Sequence, residues 1–374
     1  MIYFDNAATT MPCDAAVSAA MTGLCTFFAN PASRHAEGVR ASAELKKARE
    51  ATAKALHTEP ENIIFTNSGT QADNIAVLGG AKKGVGKHAV TTAIEHPAVL
   101  NCFKALEEKG FDVTYITPEK DGRITEESIR SALRSDTSFV SIMAINNETG
   151  AVMPVEHIKR HISSICPRAL FHTDAVQAFG KKELFPEEWG VDLLSISGHK
   201  IHAPKGVGAL YIRKGVSLGQ VMYGGGQERG IYSGTHDLAA IMGLAAACGE
   251  IKYDCENVSE INRYIRHEAA QIDGAVINSP TDASDYVLNI SFGNIPSEVI
   301  LNALSDRGIC VSSGSACASN MSGESHVLKA AGQNYKSAIR FSFSRYNTIE
   351  EAKCLIGVLK EVIPILNFAV RGKK

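Results

Sequence analysis

Two kinds of pattern alternate along the chain. One is helical: residues 41–56 place Ala, Leu and other small residues at intervals of three and four, between lysines and glutamates. The other is short and strand-like, rich in β-branched and aromatic residues, at 63–65, 88–92, 113–116, 139–143, 170–173, 192–196 and 208–212. This alternation predicts an α/β fold, a largely parallel sheet covered by helices, with ligands gathered beyond the carboxyl ends of the strands. An Ala- and Gly-rich helix near 238–249 leads into a charged helix around 257–272, and strand character returns at 286–292. The change of text places a domain boundary near residue 254. The glycine-rich run 223–230 reads as a loop close to a ligand or a neighbour, and no internal repeat or low-complexity tract is present.

Composition narrows the class. The 374 residues are 45% hydrophobic, enough to bury the core of a large domain and a smaller one. A net charge of -2 and a single short basic cluster at 371–374 argue against direct binding to nucleic acid. The opening residues lack a charged and then apolar leader pattern, and no apolar run approaches the ~18 residues of a membrane span. A cytoplasmic location is expected. The nine cysteines include no C-x-x-C pair, so neither zinc nor a dithiol switch is indicated, and no metal is expected. Cys317 differs from the others: it sits among glycine and serine in Ser312-Ser-Gly-Ser-Ala-Cys317, where exposure and mobility are expected, whereas Cys248 follows Leu244-Ala-Ala-Ala and reads as core.

Several residues carry candidate chemistry. Lys200 closes Ser195-Ile-Ser-Gly-His-Lys after an apolar stretch, so an amine stands where a strand meets a polar loop. Such a lysine can hold an aldehyde cofactor as a Schiff base, with Ser197 and His199 free to bind a phosphate; a plain surface lysine has the same local look. Gly69 and Thr70 follow the 63–65 strand at the predicted start of a helix, where backbone amides and the Thr70 hydroxyl suit an anion or simply an N-cap. Asp174, at another strand end, can keep a pyridine nitrogen protonated while Gln177 bonds a ring hydroxyl, or it can cap the strand. His96 can stack on a planar ring and move protons. Asn147 and Arg340 are further polar residues at strand ends, Arg340 suited to an amino-acid carboxylate or to a structural acid.

Taken together, these pieces resemble the cysteine desulfurases of the NifS/IscS-like kind, within the class V, fold-type I pyridoxal-phosphate enzymes. The resemblance runs over nearly the whole chain, through Asp5-Asn-Ala-Ala-Thr-Thr10, Asn30-Pro-Ala-Ser-Arg-His35, Ser68-Gly-Thr70 with Asp73-Asn74, Glu95-His96 and Asn146-Asn-Glu148. It continues in the family's order through Asp174-x-x-Gln177, Ser197-Gly-His-Lys200, Gly224-Gly-Gly-Gln-Glu-Arg-Gly230, Ser233-Gly-Thr235, Ser312–Cys317 and Ile339-Arg-Phe-Ser342.

The resemblance implies a fold-type I transferase: a mostly parallel seven-stranded sheet between helices in a large domain, 13–254, and a smaller α+β domain from 1–12 and 255–374 that carries the cysteine loop. It implies pyridoxal 5'-phosphate on Lys200, His96 stacked on its ring, Asp174 at the ring nitrogen and Gln177 at the ring oxygen. Gly69, Thr70, Ser197 and His199 would hold the phosphate, joined by Thr235 of a second copy in a homodimer. Asn147 and Arg340 would grip the carboxylate of L-cysteine, and Cys317 would accept its sulfur as a persulfide, leaving L-alanine. The long small-residue loop at 312–323 resembles the branch that serves iron-sulfur cluster assembly, and thiolation of transfer RNA or of a cofactor is the other destination. Tyr232 stands where the family usually has Arg, and Asp237 where it usually has Asn, so contacts near the subunit boundary are expected to differ. The chain also ends soon after its last predicted helix, where several relatives carry a scaffold-docking tail, so delivery to the usual scaffold is not expected to follow automatically. Two other readings stand beside this one: a different reaction of the same cofactor, such as selenocysteine lyase or aminotransferase, and a non-catalytic binding module.

Overall fold

The computed structural model describes residues 1–81, 86–313 and 325–371, with the side chains of 370 and 371 left aside. Seven strands form one sheet in the spatial order Ile63–Thr66, Gly208–Ile212, Leu193–Ser197, Leu170–Asp174, Thr137–Ser141, His88–Thr92 and Asp112–Ile116. Only Gly208–Ile212 runs against its neighbours, and the remaining pairings are parallel. Successive residues feed opposite faces. Ile63, Phe65, Val90, Val140 and Leu194 enter one apolar core, while Ile64, Ala89, Phe139, Leu193 and Leu210 enter the other. A sheet buried on both faces needs near-continuous apolar strands, which is why these segments read as runs rather than as alternations.

The apolar run expected at 139–143 outlasts its strand, which is Thr137–Ser141. Met143 and Ile145 stay buried past the strand end because they line a cavity there. The helix Gly69–Ala81 is buried along most of its length, so it is built from small residues. A Cβ on Gly80 would lie 2.4 Å from Cε2 of Phe139, an approach only glycine permits.

A second, antiparallel sheet orders Ala338–Ser342, Val287–Phe292 and Ala275–Ile277. Helices Glu256–Ala269 and Ile349–Arg371 cover it, through Val258, Ile261 and Ile265 from the first and Leu355 and Leu359 from the second. Phe4 enters the same core and meets Phe343 edge-on, ring centroids 5.3 Å apart. Ile2–Tyr3 pairs in parallel with Ile309–Cys310, and Asp5 bridges to Ser342. The chain then crosses to the large sheet, where the Thr10 amide donates to the carbonyl of His199 at 2.9 Å. Among the described residues no helix is long and apolar enough to cross a membrane.

Candidate active site

Beyond the carboxyl ends of the parallel strands lies a cavity of about 260 Å³. Gly69 and Thr70 reach it from the helix after Ile63–Thr66, and His96 from the turn after His88–Thr92. Asn147 follows the Thr137–Ser141 strand, Asp174 and Gln177 close Leu170–Asp174, and Ser197, His199 and Lys200 close Leu193–Ser197. Arg340 enters from the small sheet. Thr235 does not line this cavity: it borders a separate cleft with Thr66, Asn67 and Gly206. Cys317 lies outside the described residues.

Lys200 ends a one-turn helix, Gly198–Lys200, and its Nζ donates to the carbonyls of Ala7 and Ala8, each at 2.7 Å. Asp174 is buried, and its Oδ1 accepts from the Val176 amide at 2.9 Å. Burial raises its pKa to about 6, while that hydrogen bond and the Lys200 charge hold it from going higher. His96 caps the helix Pro97–Glu107, its Nδ1 accepting the Ala98 amide at 3.1 Å. Burial, with the charges of Lys200 and His326 behind it, pushes this imidazole down to about 4, so it is neutral at pH 7. His199, whose Nδ1 lies 3.2 Å from the Thr9 hydroxyl, is lowered to about 4, chiefly by burial.

These residues fit pyridoxal phosphate. The Ser197 hydroxyl is buried without a hydrogen-bond partner among the described residues. Beside it a Cβ on Gly69 would stand 2.8 Å from Val176 Cγ2 and 3.1 Å from Ser197 Cβ, so glycine keeps the start of the helix Gly69–Ala81 open. An unspent hydroxyl at an uncrowded helix N-terminus is a phosphate cradle. A lysine and a buried carboxylate on the same cavity suit an aldehyde and a ring nitrogen respectively.

Other contacts were not legible in the sequence. Gln177 donates to Ala7 O at 3.0 Å and accepts from Lys181 Nζ at 2.7 Å. Burial lowers the Lys181 pKa to about 7, with the nearby Lys200 and Arg340 charges adding to the effect. The only local hint was its spacing, four residues on from Gln177. Arg340 donates from Nη1 to Asn147 O at 3.0 Å and from Nη2 to Asp5 Oδ1 at 2.9 Å, and its buried Nε has no hydrogen-bond partner among the described residues. Glu95 Oε1 accepts from the Thr92 hydroxyl at 3.0 Å and the Met143 amide at 2.8 Å, and burial pushes its carboxyl up to about 8. Asp73, on the cavity wall, is raised well above the usual range by burial and by Asp174. Ser325 donates to Glu148 Oε2 at 2.5 Å, and next to it His326 Nε2 meets the Glu95 carbonyl at 2.9 Å. Both Glu148 and His326 line the cavity.

Comparison with known proteins gives the family. The aminotransferase class-V family matches residues 2–355. A cysteine desulfurase of Nostoc sp. is 39% identical over 97% of this chain and 93% of its own length. Among solved structures, a NifS-like protein superposes with a TM-score of 0.90 at 36% identity, covering 98% of this chain and all of the other. A second, titled SspA in complex with cysteine, gives a TM-score of 0.83 at 33% identity over 93% of this chain and all of its own. The chain belongs to the class-V aminotransferase family, enzymes that work with pyridoxal 5'-phosphate. Within that family it is a cysteine desulfurase.

Proposed function

We propose that the protein takes sulfur from L-cysteine, releases L-alanine and leaves the sulfur as a persulfide on Cys317 for an acceptor protein in iron-sulfur cluster assembly or in thiolation of transfer RNA or a cofactor. The observation that carries this reading is the convergence of Lys200, Asp174 and Arg340 on one cavity. The relative solved with cysteine supports the choice of substrate.

Bound there, pyridoxal phosphate supplies an electron sink for the bonding pair released at the substrate Cα. Asp174 would keep its ring nitrogen protonated and His96 would cover its face. Ser197, His199, Gly69 and Thr70 would hold its phosphate, and Gln177 would meet the ring oxygen. Arg340 and Asn147 hold the substrate carboxylate. Lys200 Nζ would move the Cα proton. Its two contacts to the carbonyls of Ala7 and Ala8 keep it at the cavity wall.

The working form is a homodimer in the cytoplasm. Support for the dimer comes from Thr235, which lies away from its own chain's cavity, and from exposed apolar residues Val17, Met21, Leu24 and Phe28 along and just past one helix. The test of the activity is an absorption spectrum before and after L-cysteine, with sulfide and alanine assayed in wild type and Cys317→Ala. A cofactor band that shifts with cysteine in both, and sulfide formed only by the wild type, is the expected result. Equal sulfide release by the variant would remove Cys317 from the mechanism and favour another reaction of the same cofactor.

A further inference from the structure

Of the three imidazoles that line the cavity among the described residues, His96 and His326 are fixed in complementary ways. The Ala98 amide donates to His96 Nδ1, so that nitrogen carries no proton and the neutral ring is the Nε2–H tautomer. Protonating Nδ1 would break the helix cap, which adds to the burial that already disfavours the charged ring. His96 can therefore offer a proton or a ring face, but it is a poor acceptor. His326 is held at the other nitrogen. A carbonyl only accepts, so the 2.9 Å contact with Glu95 O makes His326 Nε2 the donor and leaves Nδ1 with a lone pair. The ring is half-buried on the cavity wall.

The remaining titratable groups on that wall are already committed. Lys200 and Asp174 serve the cofactor. His199 is neutral and lies by the phosphate cradle, and Arg340 holds a carboxylate. Burial and the Asp174 charge raise the Asp73 carboxyl well above its usual range, and Glu148 Oε2 accepts from Ser325.

We propose that His326 is the base that takes the proton from the substrate thiol and returns it to the substrate Cβ. The inference rests on the desulfurase reading. In the step, the S–H bond of cysteine breaks, its proton moves to Nδ1, and the imidazolium stays hydrogen-bonded to Glu95 O. The Cys317 thiolate then forms the S–S bond as the C–S bond breaks, and the proton passes from Nδ1 to Cβ to complete the methyl group of alanine. One S–H and one C–S bond are exchanged for one S–S and one C–H bond, without an external oxidant or reductant.

A substrate that arrives already ionised skips the deprotonation, and the proton that His326 hands to its Cβ is taken from solvent instead, so only one of the two transfers is at stake. L-Selenocysteine, whose selenol is ionised at neutral pH, is such a substrate. For His326→Gln, kcat on L-cysteine is expected to fall by about 10²- to 10³-fold, the range of general acid–base catalysis, with KM little changed. The fall on L-selenocysteine is expected to be at least ~10-fold smaller, and the cysteine kcat defect is expected to shrink as pH rises toward ionisation of the free thiol. A cofactor-independent readout is the imidazole nitrogen-15 spectrum of the cofactor-free protein, in which His326 is expected as the Nε2–H tautomer. Equal losses on the two substrates, unchanged turnover, or a proton on His326 Nδ1 would each overturn the assignment. Failure of the desulfurase reading itself looks different: wild type would release alanine from neither substrate, and the inference would fall with it.

Discussion

Three buried carboxyl groups, Asp73, Glu95 and Asp174, lie close enough to interact, the first and last of them on the cavity wall, and Asp174 raises the pKa of both others. Like charges this close cannot all form cheaply, so the charge settles where a counter-charge waits. Asp174 has Lys200 and the Val176 amide, and its pKa, about 6, is below the value of about 8 at Glu95. Asp174→Asn is therefore expected to lower turnover by about 10²-fold or more and to shift the cofactor absorption band; an unaltered spectrum and rate would contradict its place at the ring nitrogen. Glu95 makes a stability statement. Its folded-state pKa of about 8 is raised above the unfolded value of ~4.3. Its contribution is fully present below about pH 4 and is lost as pH rises toward 8, because the unfolded chain binds fewer protons across that window. Thermal melts of the cofactor-free protein are expected to show this fall between pH 5 and 8, and Glu95→Gln to flatten it. Parallel pH profiles for the two proteins would refute the assignment.

At the scale of elements, the glycines of the Gly69–Ala81 helix separate function from stability. Gly80 packs against Phe139 in the core, so Gly80→Ala is expected to cost about 1–3 kcal/mol in denaturant unfolding of the cofactor-free protein. Gly69 faces the phosphate cradle, so Gly69→Ala is expected to weaken cofactor binding by about tenfold, measured by equilibrium titration. Comparable effects of both changes on both measurements would mean that the cradle and the core are not separable.

These elements were legible because hydrophobic period and glycine placement are local signals. All seven strands of the large sheet were found within a few residues, as was the Leu238–Gly249 helix. The helix expected at 41–56 begins earlier, at Ala36, because His35 caps it by accepting from the Gly38 amide. What stayed hidden was tertiary. Lys200 reaches Ala7 and Ala8 across more than 190 residues, and His326 finds its carbonyl across 231. Periodicity reports which side of an element is buried, never which distant atom meets it.

For the whole molecule, the expected assembly exposes its own test. Val17, Met21, Leu24 and Phe28 repeat at helical spacing and are exposed in the single chain. Met21→Asp with Leu24→Asp is expected to shift the mass in sedimentation from dimer to monomer and to lower cofactor occupancy with it. A wild type that sediments as a monomer with full cofactor would refute the dimer. The crossing of the first residues between the two sheets has a further consequence, in time rather than in space. Ile2 pairs with Ile309, and Asp5 with Arg340. A ribosome making about 5–20 residues per second leaves the first strand without its partner for roughly 15–60 s. The segment that leads into Ala7 and Ala8 thus meets Lys200 well before its own flank is secured by Ile309 and Arg340, so the lysine clamp reaches its finished geometry only after the small sheet has been made.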